Sequence, residues 1–337
     1  MRTGIIAGGN WIVDHVKIID VWPPQDALAS ILSQSWGNGG SPYNLLKNLS
    51  RFGAMFPREA IGLVGDDASG RIIQDDCKAH GIDQRQLLVS EKLPTSFTDV
   101  MTEESTRRRT FFHQRGANAA LAPEHFDFTK TQAKIFHLGY LLLLDALDEI
   151  GPDGLPAAAH VFRKARAAGL LTSADCVSEH SDRFTTVVMP LLPELDLLLA
   201  NDFEAEKITG LSLGRGSSLN RQAVEEAGRE LLRRGVKKWV VLHFPEGAFA
   251  CSAEGERVWQ PSVNFPSSAI AGTAGAGDAL ASGVLYGWHE GWPMQRALEL
   301  GVCAAAASLR HPTCSDSVGT LGDCLELGAR YGFRAQG

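Results

Sequence analysis

With 337 residues and a formal net charge of −7, the chain lacks the basic surface that binding to a nucleic-acid backbone requires. Its six cysteines form no CxxC pair, no apolar run approaches the ~20 residues of a membrane span, and the N-terminal apolar segment is too short for a signal peptide. We therefore predict a cytoplasmic protein with reduced thiols that binds neither nucleic acid nor membranes.

The first predicted strand ends at a glycine pair, Gly8 and Gly9. This pair does not complete the GxGxxG pattern, which argues against a dinucleotide-binding dehydrogenase. Asp14 ends the first apolar segment. Its carboxylate could accept two hydrogen bonds from sugar hydroxyl groups, or it could be only a turn residue at a strand end.

A second glycine cluster precedes a helical segment that Gly53 closes. The adjacent Gly39 and Gly40 permit backbone contact with a polar small molecule, because no side chain stands in the way. Asn44 can both donate and accept hydrogen bonds. We predict that these residues bind substrate, although a plain helix-entry loop would have the same pattern.

Two segments that combine polar and apolar residues are candidate strands, Ser96–Met101 and Arg109–His113. They flank the turn-like segment Glu103–Thr106. Together with residues 11–21, they predict a small antiparallel sheet that covers a pocket.

The middle of the chain repeats an order of helix, glycine and apolar strand. The repeats are Ala157–Ala168 with Gly169 before residues 170–175, and Arg221–Arg234 with Gly235 before residues 238–242. Further strand candidates are residues 135–138 and 197–200. This alternation predicts a mostly parallel sheet covered by helices, with ligands beyond the carboxyl ends of its strands.

The segment Asn201–Glu204 follows the strand candidate that ends at Ala200. In a first helical turn, Asn201 and Glu204 would face the same side. Both offer oxygen ligands suited to water-coordinated Mg²⁺, but the same pattern is also a common helix cap. The sequence leaves both interpretations open.

The most informative segment is the glycine-rich turn Ala271–Asp278, which a helical run of small residues follows. Its glycines let backbone N–H groups approach an anion, and the helix N-terminus adds partial positive charge. Asp278 would repel that anion, yet it is well placed to take a proton from a nucleophile attacking the anion. The turn predicts phosphoryl transfer to a hydroxyl group, unless Asp278 is an ordinary first-turn residue. The P-loop, protein-kinase and GxSxG motifs are absent.

Taken together, these segments resemble the ribokinase-like, or PfkB, family of carbohydrate kinases. The matching motifs are Gly37–Gly53 for the N-terminal signature, Asn201–Glu204 for NxxE, Ala271–Asp278 for DTxGAGD, Gly9 with Asp14 for the ribokinase start, and Arg115–Asn118 for the GAN segment after the lid. The resemblance extends from about residue 5 to about residue 327.

The resemblance implies an α/β fold, a three-layer α/β/α sandwich with a mostly parallel central sheet and a small antiparallel β lid. It implies a single domain over residues 1–337, with the lid formed from about residues 11–36 and 90–115. Such a lid would exclude water and mediate a homodimer.

The resemblance also assigns roles to individual residues. Asp278 would be the base, and the backbone of Gly275, Ala276 and Gly277 would stabilise charge on the γ-phosphoryl group of ATP. The substrate-binding residues would be Asp14, Gly39, Gly40, Asn44 and His113. The nucleotide-binding residues would be Asn201, Glu204, Gly247, Gly275 and Gly277. Asn201 and Glu204 would hold Mg²⁺ through water.

The chain departs from the family pattern at three places. Gly272 replaces an aspartate linked with ATP or monovalent-cation binding, so a requirement for K⁺ does not follow from the resemblance. Residues 242–247 keep only the last glycine of TxGxxG, and residues 175–177 depart from DxN. Nucleotide contacts and the identity of the acceptor can therefore differ from those of the family.

We predict ATP- and Mg²⁺-dependent phosphorylation of a hydroxyl group of a small sugar or sugar acid. One alternative is a nucleoside kinase of the adenosine type, and another is a non-catalytic sugar-binding regulatory protein. The polar lid residues Arg109, His113, Gln114 and Arg115 favour a sugar. An intact Asp278 argues against the regulatory protein, because binding alone does not require a base.

Overall fold

The strands and helices follow one another along most of the chain. The computed structural model describes residues 2–106 and 108–335, except the side chain of Ser217. The strands are β1 (Ile5–Gly9), β2 (Ile12–Ile19), β3 (Ile31–Gly39), β4 (Arg58–Gly65), β5 (Asp83–Ser90), β6 (Ser96–Glu103), β7 (Arg109–Gln114), β8 (Ile135–Leu141), β9 (Leu171–Cys176), β10 (Leu197–Asn201), β11 (Trp239–Phe244), β12 (Gly247–Ser252) and β13 (Arg257–Pro261). The α-helices are α1 (Ser41–Arg51), α2 (Ala68–Ala79), α3 (Asp145–Asp148), α4 (Ala157–Ala167), α5 (Met189–Leu191), α6 (Asp202–Thr209), α7 (Arg221–Arg233), α8 (Ala276–Glu290), α9 (Met294–Ser308) and α10 (Leu321–Tyr331).

Within the described residues, nine strands form the main sheet, in the order β13-β12-β11-β10-β9-β8-β1-β4-β5. The strands from β11 to β5 in this order pair in parallel. The pairings of β12 with β11 and with β13 are antiparallel. The predicted, mostly parallel sheet is confirmed, and the carboxyl ends of its parallel strands lie along one edge.

The central strands are apolar on both sides because helices cover both faces of the sheet. In β10, Leu197 and Leu199 join one hydrophobic core, whereas Leu198 and Ala200 join the other. Helices α1, α2, α8, α9 and α10 contribute to the first core. Helices α3, α4, α5, α6 and α7 contribute to the second core. This is the three-layer α/β/α sandwich that the sequence predicts.

The lid is a separate four-stranded sheet, in the order β3-β2-β6-β7. Both outer pairs are antiparallel, as expected, and the central pair of β2 and β6 is parallel. The reason lies in the connections. Strands β2 and β6 directly follow β1 and β5, which run in the same direction in the main sheet, so both lid strands extend outward from its carboxyl edge.

Two further structural features concern the helices and the cysteines. In the part that the structure describes, no helix combines the length and the apolar composition needed to cross a membrane. All six cysteines are buried and unpaired, so the chain is held together by its two cores rather than by disulfide bonds.

Candidate active site

A cavity of about 470 Å³ lies at the carboxyl edge of the main sheet, beneath the lid. Strands β9, β10 and β11 contribute Asp175, Asn201 and His243 from their carboxyl ends. The lid contributes side chains from β2, β6 and β7, including Asp14 and His113. This is the position at which an α/β sheet binds its ligands.

Asp278 lies in the first turn of α8 and lines this cavity. Its Oδ2 accepts hydrogen bonds from Asn44 Nδ2 at 2.6 Å and from the Tyr140 hydroxyl at 2.7 Å. Burial, and next the charge of Asp175, raise the pKa of Asp278 to about 7. A carboxylate that titrates near neutrality can take up a proton during a reaction and release it afterwards.

The turn before Asp278 lies along the same cavity and is built for close approach. Gly275 has a φ of 74°, and a Cβ there would lie 2.5 Å from the Cys314 backbone oxygen. The N–H groups at the start of α8, including that of Gly277, have no acceptor within the helix. Together with the helix dipole, they form a site suited to an anion.

Asp14 and Asn44 lie in the cavity because of neighbouring glycines. A Cβ at Gly39 would lie 2.5 Å from both carboxylate oxygens of Asp14. Gly40 has a φ of 88°, and its Cβ would lie 2.0 Å from the Asn10 backbone oxygen. Gly39 therefore makes room for Asp14 without lining the cavity, and Gly40 lets α1 begin where Asn44 points towards Asp278.

The innermost part of the lid is polar. Asp14, Thr98 and His113 lie side by side on β2, β6 and β7. Thr98 Oγ1 lies 3.0 Å from His113 Nδ1, and His113 Nε2 is buried without a hydrogen-bond partner among the described residues. Burial lowers the pKa of His113 to about 4, so a neutral ring nitrogen is available to an uncharged ligand group.

The other lid residues that favoured a sugar lie elsewhere. Arg109 donates a hydrogen bond to Thr273 Oγ1 at the rim of the cavity. Gln114 and Arg115 are not among the described lining residues, whereas Phe111 is. Because side chains alternate along β7, residues 111 and 113 share the inner face. The underside of the lid is therefore partly aromatic, and of the four polar lid residues that favoured a sugar only His113 lines the cavity.

Asn201 and Glu204 form a helix cap and line the cavity at the same time. Asn201 Oδ1 accepts from the Glu204 backbone N–H at 2.9 Å, and Glu204 Oε2 accepts from the Asn201 N–H at 2.9 Å. Burial raises the pKa of Glu204 to about 8. The capping alternative is therefore realised, without removing these side chains from the site.

Gly247 lies outside this cavity. It is the first residue of β12 and lines a separate cavity of about 500 Å³ with Phe244 and Trp259. A Cβ at Gly247 would lie 2.4 Å from the Gln260 backbone oxygen. The close approach of β13 is a structural reason for this glycine, and its predicted contact with a nucleotide stays a prediction.

Several residues of the site were not predicted as site residues. Tyr140 and Asp175 lie at the carboxyl ends of β8 and β9, and the binding rule for α/β sheets could have found them. Asp175 Oδ2 accepts from Ser41 Oγ at 2.8 Å, while its buried Oδ1 has no partner among the described residues. Cys314 donates to Asp14 Oδ2 at 3.5 Å across 300 residues of sequence, which no local pattern indicates.

The raised pKa of Asp278 implies that the free energy of unfolding depends on pH. Between about pH 4 and about pH 7 the folded state keeps a proton on Asp278 that the unfolded state has lost, so this group destabilises the fold as pH rises. Asp278→Asn should therefore gain stability relative to the wild type across this window, with each pKa unit worth about 1.4 kcal/mol. Urea unfolding of both proteins from pH 4 to pH 8 measures the difference. A difference independent of pH would contradict the raised pKa.

Comparison with known proteins places these features in context. A family model described as "pfkB family carbohydrate kinase" matches residues 9–321. The chain is 26% identical over 293 residues to 5-dehydro-2-deoxygluconokinase of Geobacillus thermodenitrificans, covering 84% of this chain and 81% of that protein. It is 28% identical over 303 residues to ATP-dependent ribose-1-phosphate kinase of Halopiger xanaduensis, covering 90% of each.

Solved structures share the fold. Arabidopsis thaliana ribokinase, complexed with ribose and ATP, superimposes with a TM-score of 0.77 at 19% identity, covering 97% of this chain and 99% of that chain. A putative ribokinase II from E. coli, in complex with ATP and Mg²⁺, gives a TM-score of 0.74 at 19% identity, with the same coverage. At this identity the likeness establishes the fold alone, and it agrees with the predicted sandwich and lid.

Proposed function

Because the chain belongs to the pfkB family of carbohydrate kinases, we propose that it transfers the γ-phosphoryl group of ATP to a hydroxyl group of a small sugar or sugar acid, with Mg²⁺ as cofactor. The observation that carries the proposal is the position of Asp278 beside the glycine-rich start of α8, in the cavity that also contains Asp14. Phosphoryl transfer to an alcohol requires an anion site and a base within reach of one another.

The geometry supports the following division of labour. Both hydrogen bonds described for Asp278 are accepted by Oδ2, so Oδ1 is the oxygen left to take the proton of the acceptor hydroxyl. The acceptor oxygen forms a bond to the γ-phosphorus, and the bond from that phosphorus to the β–γ bridging oxygen breaks, which releases ADP. The N–H groups of Gly275 and Gly277 stabilise the charge on the transferred group.

The acceptor is held by Asp14, Asn44 and His113 in this proposal. Their carboxylate, amide and neutral imidazole groups suit hydroxyl groups, which both donate and accept. The described residues of the cavity lining include no lysine or arginine. A carboxylate group on the acceptor would therefore form an ion pair with Arg109, which lies at the rim of the cavity. The relatives named 5-dehydro-2-deoxygluconokinase and ATP-dependent ribose-1-phosphate kinase support a sugar derivative as the acceptor.

The residues around α6 fit a Mg²⁺ ion bound through water. Carboxylate and amide oxygens with water are the ligands that Mg²⁺ prefers, and it usually shares them with substrate phosphates. Both oxygens of Glu204 already accept hydrogen bonds, from Ser178 and Asn201, which favours contact through water. In the described part of the chain, no group of three or more His, Cys, Asp or Glu side chains could hold a metal alone. When bound, Mg²⁺ would neutralise charge on the phosphates.

A nucleoside remains a second candidate acceptor because of one observation. Phe111 lines the cavity from β7, next to the buried Val16 and Val100 on the neighbouring lid strands. An aromatic and apolar strip can stack against a base. The polar group of Asp14, Thr98 and His113 lies deeper along the same strands and favours a sugar.

The experiment that tests the function is an ADP-release screen of the purified protein over pentoses, hexoses, keto-deoxy acids and nucleosides, with and without Mg²⁺. We expect Mg²⁺-dependent release of ADP with a sugar or sugar acid. Release of ADP with nucleosides alone would show that the acceptor is a nucleoside and not a sugar or sugar acid. No release above background with any acceptor would favour the non-catalytic sugar-binding alternative.

We further infer that the lid mediates a homodimer. Its outer face exposes Trp36 and Phe112, of which 57% and 51% of the surface is accessible, on a shared row across the sheet. Trp22 stacks on Phe112 with ring centroids 6.2 Å apart. Aromatic patches of this kind mark protein interfaces. Sedimentation of the protein at micromolar concentration should give a dimer, and a monomer at all concentrations would contradict this inference.

A further inference from the structure

A buried lysine, Lys47, lies two hydrogen bonds away from Asn44, one of the two residues that donate to Asp278. Lys47 is in α1, one turn after Asn44, and only 7% of its surface is exposed. Its Nζ lies 3.0 Å from Asp76 Oδ2, 3.6 Å from Asp316 Oδ1 and 3.1 Å from Asn38 Oδ1. The ammonium therefore donates a hydrogen bond to the amide of Asn38 and pairs with two carboxylates, of which only that of Asp76 lies within hydrogen-bond distance.

From Lys47, a chain of side-chain hydrogen bonds leads to the candidate base. Asn38 Oδ1 accepts from Lys47 and also from Ser315 Oγ at 2.6 Å. Asn38 Nδ2 donates to Asn44 Oδ1. Asn44 Nδ2 donates to Asp278 Oδ2 at 2.6 Å. Both amides are buried, with 1% of their surface exposed, and of the two only Asn44 also lines the cavity.

The direction of this chain follows from the chemistry of its first member. An ammonium donates hydrogen bonds and cannot accept them, whereas an amide has one end of each kind. The end of Asn38 that faces Lys47 must therefore be its oxygen, so its NH₂ faces Asn44. The oxygen of Asn44 must then face Asn38, which leaves the NH₂ of Asn44 for Asp278. Ser315 cannot impose this order, because a hydroxyl group both donates and accepts.

We propose that Lys47 is a positioning residue for the phosphoryl-transfer reaction, which orients the amides of Asn38 and Asn44 so that an N–H group is always directed at Asp278. This inference rests on the proposed function for its catalytic meaning, but the orientation itself does not. Without Lys47, Asn38 could turn its NH₂ to Ser315 and its oxygen to Asn44. Asn44 would then present its oxygen to Asp278, which favours the protonated carboxyl group.

The surroundings of Asp278 make this donor important. Asp175 and Asp14 face it from β9 and β2, and their charges raise its pKa, as burial does. The hydroxyl of Tyr140 and the amide of Asn44 donate to it and lower its pKa. Cys314 is a further titratable neighbour. Of the two donors, only Asn44 has an orientation that depends on other side chains.

The charges around Lys47 decide which controls are informative. Its ammonium faces Asp76 and Asp316, and these carboxylates are also contacted by His80 and Arg51 respectively. Arg51 is a cation on the same helix, one turn further from Asn44, and it makes no hydrogen bond to Asn38 among the described residues. Arg51→Met therefore removes a nearby positive charge while leaving the hydrogen-bond chain in place.

The main test compares pH profiles of kcat/KM. We expect Lys47→Met and Asn38→Leu to move the acid limb upward by about one pH unit, which corresponds to about tenfold lower activity at about pH 6 and little change at about pH 9. Lys47→Arg, which is also a pure donor, should stay near the wild type, as should Arg51→Met. Asn38→Leu keeps the charge of Lys47, so a shift in both variants separates amide orientation from charge.

A measurement without activity separates this inference from the proposed function. Carbon NMR of protein labelled at its aspartate carboxyl carbons follows the titration of Asp278 in the ligand-free state, with Asp278→Asn identifying the signal. A higher midpoint in Lys47→Met or Asn38→Leu, whichever remains folded by circular dichroism, supports the inference even if no acceptor is phosphorylated. A midpoint equal to that of the wild type in a folded variant overturns it.

Discussion

Asp278→Asn is expected to lower kcat by about 10²–10⁴-fold, the range that a general base contributes. The amide has nearly the same shape as the carboxylate, and its oxygen can still accept from Asn44 and Tyr140. What it loses is the ability to take the proton of the acceptor hydroxyl. Affinities for ATP and for the acceptor, measured by calorimetry, should therefore stay within about a few fold of the wild type, since the change acts on the transition state.

A matched control for this variant is Asp196→Asn. Asp196 is a buried carboxylate that precedes β10, and it accepts a hydrogen bond from the Thr172 backbone N–H at 2.9 Å. It lies at the end of the strand opposite to the candidate active site, so its replacement should leave kcat close to that of the wild type. Turnover of Asp278→Asn near the wild-type rate would show that Asp278 is not the base.

Burial raises the pKa of Asp14 to about 7, so above that pH Asp14→Asn is expected to raise KM for the acceptor by about 10–100-fold, because hydrogen bonds to a charged group contribute about 1.5–3 kcal/mol each. The position of Asp14 beside Gly39 and Cys314 leaves room for a side chain of the same shape, so the lid should keep its structure. Steady-state kinetics at saturating ATP measures the change, and KM for ATP should move little.

The comparison variant for Asp14 is Glu103→Gln, at the far end of lid strand β6. Glu103 accepts hydrogen bonds from Ser105 and Thr106 in the turn between β6 and β7, outside the cavity lining. Its replacement should leave KM for the acceptor unchanged. An equal rise of KM in both variants would indicate a general effect on the lid, and no rise in Asp14→Asn would remove Asp14 from the acceptor site.

The architecture was predictable where strands alternate with helices along the chain, as in the segments that form β8 to β11. Strands β10 and β11 begin with the apolar runs 197–200 and 239–242, and β9 follows the glycine that ends the helix before it, so their positions agree with the sequence pattern. Strands β3, β4, β5, β12 and β13 were not predicted, and β5 and β12 show two of the reasons. β5 is an edge strand with exposed residues, and β12 contains small residues such as Gly247 and Ala248. Neither has the hydrophobic pattern from which a strand is predicted.

The candidate site was predictable where one local segment contains the chemistry. Asp278 and its glycines form such a segment, and so do Asn44 and Gly40. Tyr140 and Cys314 come to the cavity from distant segments, so their contribution depends on the completed fold. The chain of hydrogen bonds from Lys47 to Asp278 is of the same kind, because it spans 231 residues between its ends.

Asn201 and Glu204 show that a local sequence pattern cannot always assign a single role to a residue. The sequence poses helix capping and metal binding as alternatives, yet the structure has the cap and the cavity contact in the same pair. The cap satisfies backbone groups at the start of α6, and the side chains still line the cavity. A pattern of residue types cannot separate two roles that one geometry fulfils together.

The most direct test of the central claim, that this cavity phosphorylates a hydroxyl group with Asp278 as the base, is product analysis of the wild type and Asp278→Asn with the acceptor found by the screen. ADP and the phosphorylated acceptor are quantified in the same reaction by mass spectrometry and phosphorus NMR. We predict one phosphate ester per ADP from the wild type and, in the same time, at least about a hundredfold less of both products from Asp278→Asn. ADP without a phosphate ester, or equal yields from the two proteins, would contradict the claim.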